Sequence, residues 1–153
     1  MKNSNLLRSF FLLISFVILS CKQNSHSNYE RNLENTQNFF NYINENDGLE
    51  KMISMLSPEI KHQSPTYDGK IRNYDERIQE LSGYFNGFKN LKYEAKIWLP
   101  NTDKNGNLTR GVRTYGTWTG EFVETGKNIT LNSFHYYNYD DQGKVINLSL
   151  IHI

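Results

Sequence analysis

Three histidines on strand-like segments, His62, His135 and His152, are the residues of this chain best suited to moving a proton. A general base works best with a pKa near the working pH, and imidazole starts close to it. Such work requires two of the three to converge in one pocket. The plainer reading is that they are hydrogen-bonded or partly exposed structural histidines. Three histidines and a water also make a catalytic zinc set, but these three fall on separate elements, so no metal is expected. No cofactor is expected either. Trp118 can wall a site for an apolar ligand or simply pack the core. Tyr137 shares a strand phase with His135, while Phe134 and Tyr136 share the other. Alternation separates the two faces and leaves open which is concave. The candidate ligand set is therefore His62, Trp118, His135, Tyr137 and His152, with the three histidines as catalytic candidates. Asp140 and Asp141 are adjacent carboxylates, but they precede Gly143 and read as turn formers.

The elements that must position these residues are legible in order. Residues 29–45 have helical spacing, with Leu33, Gln37, Phe40 and Ile43 on one stripe, widened by Phe39 and Tyr42. Asn46-Asp47-Gly48 breaks it, and Leu49 to Leu56 form a short second helix that stops before Pro58. Glu59 to Gln63, carrying His62, is a short strand. Asn73 or Asp75 caps a third helix, whose apolar side holds Ile78, Leu81, Tyr84, Phe85 and Phe88 and whose end suits Gly87. Leu91 to Leu99 alternates, with Leu91, Tyr93, Ala95, Ile97 and Leu99 opposite Lys92, Glu94, Lys96 and Trp98. From there a hairpin leads into a meander. Its turns are Thr125-Gly126-Lys127 and Asp140-Asp141-Gln142-Gly143, and its strands are rich in aromatic and β-branched residues. Helices followed by a meander make an α+β order.

The amino terminus reads as an address. Lys2 and Arg8 precede an apolar run from Phe10 to Leu19, about ten residues long. That is too short for the roughly 20 residues of a membrane-spanning helix. The run ends in Ile18-Leu19-Ser20-Cys21, which resembles the lipobox of bacterial lipoproteins. The resemblance implies cleavage before Cys21, lipidation of that residue and attachment to the cell envelope, facing the periplasm. Several acyl chains anchor stably where one would not. The chain then divides into a signal peptide over 1–20, a polar tether over 21–28 and one domain over 29–153. Cys21 is the single cysteine, so no intrachain disulfide can form, and a net charge of +1 gives no basic face for nucleic acid.

Met55-Leu56-Ser57-Pro58, the strand with His62, and Gly69 before the third helix resemble the first half of a SnoaL-like domain. Gly116-Thr117-Trp118-Thr119-Gly120-Glu121-Phe122, Thr125-Gly126-Lys127 and Gly143-Lys144-Val145 resemble its second half. This is the nuclear transport factor 2-like superfamily. The resemblance spans roughly Leu33 to Ile153. It implies a cone-shaped, cystatin-like fold, with amino-terminal helices packed on a curved antiparallel sheet. It also implies a blind pocket and a homodimer through the convex face. The chain departs from active members in three places. It has His62-Gln63-Ser64-Pro65 where they carry His-Asp-Pro. Trp118 stands where they carry His, and the closing strand from Lys144 has no acid.

Three functions follow from these readings. One is a lipid-anchored module binding a small apolar or aromatic molecule, favoured by ten Tyr, nine Phe and the missing acid. The second is a SnoaL-like isomerase or cyclase using a histidine base. The third is a non-catalytic interaction domain presenting Tyr115 and Trp98 on the convex face. An apolar pocket favours the first, and a histidine beside a carboxylate favours the second.

Overall fold

The computed structural model describes residues 28–65 and 69–152, the side chain of His152 excepted. The leader, Cys21 and nearly all of the tether lie outside the described residues. Helix α1 covers 28–41 and runs into a 3-10 turn, Tyr42–Asn44. Helix α2, Gly48–Ser54, strand β1, Leu56–Gln63, and the two-residue strand β2, Ile71–Arg72, follow. Helix α3 is Tyr74–Gly87, and four long strands complete the chain: β3, Phe88–Thr102; β4, Leu108–Phe122; β5, Asn128–Tyr139; and β6, Val145–His152. One six-stranded sheet has the order β2-β1-β6-β5-β4-β3. Its pairings are antiparallel except β1 with β6, which is parallel, so the sheet expected to be antiparallel is mixed.

The meander forms where its turn residues demand. Gly126 and Gly143 adopt φ of +65° and +79°, the left-handed region that glycine enters without a steric cost. Helix α3 starts at Asn73, whose side chain accepts from the Glu76 backbone N–H while Glu76 returns a bond to the Asn73 N–H. This reciprocal cap satisfies two of the orphan donors at a helix start.

Two boundaries differ from expectation. Pro58 does not halt a helix; it sits inside β1, which begins at Leu56. The pairing with β6 shifts register between Leu56 and Lys61, and a bulge tolerates a residue with no N–H. In β3 the register shifts between Ala95 and Ile97. The extra residue flips the strand's phase. Ile97, expected inside, is 46% exposed, and Trp98, expected outside, packs on Phe40 and Tyr93. Trp98 therefore packs against the core, partly buried, and Tyr115 keeps the convex face without it.

Helix α1 lies on the concave face of the sheet. Its buried line is Asn32, Thr36, Phe39 and Phe40, continued by Ile43 of the 3-10 turn, with Leu33 only half-buried beside it. Asn32 Nδ2 donates to the Arg110 carbonyl at 2.8 Å, and Thr36 Oγ1 pairs with the Tyr139 hydroxyl. Polar contacts thus pin the first half of the helix, and aromatic packing pins the second. Val112, Thr114 and Gly116 of β4 and Ser133, His135, Tyr137 and Tyr139 of β5 are buried beneath it. This identifies the phase of His135 and Tyr137 as the concave one.

Candidate functional site

The cone encloses a cavity of about 230 Å³. Its wall is set by register: Trp118 pairs with Leu131, Thr114 with His135 and Val112 with Tyr137. Helix α1 supplies Phe39 and Phe40 from above, and the 3-10 turn after it supplies Ile43. Phe40 stacks on Tyr93, with centroids 4.1 Å apart and planes at 15°. Most of the lining is hydrocarbon or aromatic carbon, the usual surface for a small apolar ligand.

Two polar clusters interrupt it. On the wall, Trp118 Nε1 donates to His135 Nε2 at 3.0 Å, and Ser133 Oγ lies 3.0 Å from the same nitrogen. An indole N–H can only donate, so His135 Nε2 is the acceptor and the ring proton is on Nδ1. Tyr93 and Thr114 hydroxyls pair alongside at 3.1 Å.

The second cluster joins β1 to α3. His62 Nε2 lies 2.8 Å from Glu80 Oε2, and its Nδ1 lies 3.2 Å from the Leu148 carbonyl. Arg77 Nη1 donates to the same Glu80 oxygen at 2.7 Å. The other Glu80 oxygen accepts from Ser64 Oγ at 2.6 Å and from the Tyr84 hydroxyl at 3.3 Å. Burial by itself would raise the Glu80 carboxyl. The His62 hydrogen bond, the Arg77 charge and the Ser64 hydroxyl together hold it well below the usual carboxylate range. Burial pushes His62 down; Glu80 opposes this, Arg77 adds to it, and the net direction is down. Burial also pushes the Tyr84 hydroxyl up to about 12, with the Glu80 charge adding to the shift. The resting state is thus an ionised Glu80, a cationic Arg77 and a neutral His62. The nearer and charged acceptor is Glu80, which places the imidazole proton on Nε2.

The structure brings His62, Trp118, His135 and Tyr137 to one cavity. The side chain of His152 lies outside the described residues. Asp140 and Asp141 stay in their turn, where Asp140 accepts from the Lys144 N–H and Asp141 pairs with Arg110. Arg77, Glu80 and Tyr84 were not read as site residues. The carboxylate beside a histidine is on helix α3, and Glu80 itself does not line the cavity. A signal for it existed, because Arg77 stands in phase with Leu81 and Tyr84 on the apolar side of the helix. Among the described residues, no three of His, Cys, Asp and Glu group as metal ligands.

No protein-family model matches the sequence, and no curated protein matches it. Solved structures do match. A nuclear transport factor 2-like protein of unknown function from an Exiguobacterium species superposes with a TM-score of 0.63 at 16% identity, covering 77% of this chain and 97% of that one. AclR, a putative hydroxylase from Streptomyces galilaeus, gives 0.66 at 17% identity, covering 82% and 90%. A putative SnoaL-like polyketide cyclase from Shewanella denitrificans gives 0.63 at 12% identity, covering 80% and 90%. At these identities the likeness is one of fold, and the fold is the nuclear transport factor 2-like cone.

Proposed function

We propose that this nuclear transport factor 2-like cone is a binding module for a small apolar or aromatic molecule, held at the cell envelope through a lipidated Cys21. One observation carries the binding reading: an aromatic-walled cavity whose two described histidines turn their basic nitrogens to protein atoms, Nδ1 of His62 to the Leu148 carbonyl and Nε2 of His135 to Trp118. His62 is wholly buried, with Nε2 against Glu80 and Arg77 and Nδ1 against the Leu148 carbonyl. His135 has Nε2 occupied by Trp118. A base must reach the proton it takes. The deciding experiment is native mass spectrometry of the purified protein, followed by release under denaturing conditions. The expected result is a bound apolar small molecule that Trp118→Ala loses or weakens. A ligand-free protein that also takes up no apolar probe would overturn the reading.

The 2.8 Å approach of His62 to Glu80 favours a second reading, a SnoaL-like isomerase or cyclase in which the pair moves a proton. The structural neighbours include proteins described as a putative hydroxylase and a putative SnoaL-like polyketide cyclase. In that case His62→Gln would lower turnover ~10²–10⁴-fold while leaving binding nearly intact. In a binding module the same change costs about a kilocalorie per mole or less, the scale of one neutral hydrogen bond.

The anchor is tested separately. Cys21→Ser should abolish incorporation of a fatty-acid probe and release the protein to a soluble extracytoplasmic fraction. Labelling that persists in the variant would contradict it.

A further inference from the structure

Two tyrosines line the cavity, Tyr84 and Tyr137. The Tyr84 hydroxyl donates to Glu80 at 3.3 Å. The Tyr137 hydroxyl has no hydrogen-bond partner among the described residues, whereas its buried neighbour in phase, Tyr139, pairs with Thr36. Nor is the Tyr137 oxygen walled in. Among the described residues, the polar side-chain atoms both sealed from open space and left unpaired are Arg77 Nε and Asn101 Oδ1. The Tyr137 oxygen is unpaired but not sealed, so it adjoins open space, and the space its residue lines is the cavity. The ring is clamped. Phe39 and Phe40 meet it edge-on with centroids 5.9 Å away, and His135 stacks on it at 6.2 Å. A hydroxyl on so confined a ring keeps its direction. Phenylalanine would fill the same place without burying a polar atom. Buried polar groups are nearly always paired, and the exceptions collect at functional sites.

The surroundings indicate what would pair with it. Burial pushes the Tyr137 phenol well above its ordinary range, so it keeps its proton and has a donor to offer. Glu80 already neutralises Arg77, and His62 beside them is neutral. A carboxylate ligand would therefore bring an uncompensated negative charge into an apolar cavity. An uncharged acceptor oxygen completes the bond without that cost. Size follows from the volume: about 230 Å³, against the roughly 150 Å³ of a dry cavity that holds benzene, suits two fused six-membered rings. We infer that the Tyr137 hydroxyl is the polar end of the ligand site, donating to the neutral oxygen of a ketone or ether on a bicyclic apolar molecule. This rests on the pocket-binding reading above and adds the size and the polar end of the ligand.

Three probes of that size separate the possibilities on the full chain: 1-tetralone, tetralin and 1-naphthoate. Trp118 lines the cavity, so a change in tryptophan emission reports occupancy. The variant is Tyr137→Phe, which removes one oxygen and keeps the ring. Because that oxygen has no protein partner, the ligand-free variant should resist urea at least as well as wild type. A tyrosine kept for a structural hydrogen bond would lose stability instead. The ratio of ketone to tetralin affinity should fall about fivefold from wild type to Tyr137→Phe, the scale of one neutral hydrogen bond. Tetralin itself should bind the two proteins within about twofold. The carbonyl stretching band of bound 1-tetralone should lie at lower frequency in wild type than in Tyr137→Phe. A lower urea midpoint in the variant, an unchanged affinity ratio, an unshifted carbonyl band, or tightest wild-type binding of the carboxylate would each overturn the inference while leaving the pocket reading intact. Failure of all three probes to bind would overturn both.

Discussion

A histidine held neutral by burial makes a protein sensitive to acid. His62 has its pKa lowered from 6.5 in the folded state, so between that lowered value and 6.5 the unfolded chain binds the extra proton. Stability is then lost as pH falls through about 6.5 and on to the folded value. Glu80 has the same sign, because its carboxyl is also depressed from 4.5. Its contribution is complete above about 4.5 and is lost as pH falls further. Two phases of acid destabilisation are expected, the first from the histidine and the second from the glutamate. Urea midpoints measured every half unit from pH 8 to 4 should fall in both ranges for wild type. His62→Gln should flatten the first phase and keep the second. An unchanged slope between pH 6.5 and 5 in that variant would show that the titrating group lies elsewhere.

At the scale of elements, close backbone approach decides where side chains go. Gly116 of β4 sits opposite Ala95, next to the β3 bulge. A Cβ there would come within 2.5 Å of the Glu94 carbonyl and of the Tyr93 ring. Neither neighbour is free to move, since one belongs to the β3 backbone and the other stacks on Phe40. Gly116→Ala should therefore destabilise the fold by about 1–3 kcal/mol, the usual cost of overpacking. Denaturant unfolding checks this, with the midpoint expected to fall and the slope to stay the same. A neutral outcome would mean that Tyr93 can leave its stack without loss. The same substitution should weaken probe binding, because any displacement of Tyr93 reshapes the aromatic wall.

At the scale of the molecule, the convex face of the sheet carries a continuous apolar row. Ile97, Tyr115, Phe134 and Ile151 are register partners across β3, β4, β5 and β6. Ile97 is 46% exposed and Ile151 51%, while the Tyr115 and Phe134 rings lie 4.8 Å apart. Contiguous apolar surface of this kind usually meets a partner. Crossed by the row of a second copy about a two-fold axis, it would form the self-complementary contact of a homodimer. Light scattering at high micromolar concentration should report two copies for wild type and one for Tyr115→Lys. A monomeric wild type under those conditions would count against the dimer and leave the row to a different partner.

Some of this was decided locally, and the sequence by itself determined those parts. Gly126 and Gly143 mark the two turns because few other residues adopt their backbone, and the strands those turns join alternate. That alternation put Trp118 in phase with Val112, Thr114 and Gly116, and His135 in phase with Tyr137. Asn73 and Asp75 both offered a start for α3, and the structure uses Asn73, whose cap is built from residues three apart. Tertiary structure decided the rest. Which phase was concave depended on where α1 packed. One inserted residue in β3 turned Trp98 toward the core, and alternation alone carries no sign of a bulge. The chemistry of the floor depended most on distant neighbours. Arg77 stood in phase with Leu81 and Tyr84, but nothing local showed that β1 brings His62 and Ser64 against it and Glu80. Burying a charge is tolerable only when its partners are in place, and those partners come from another part of the chain.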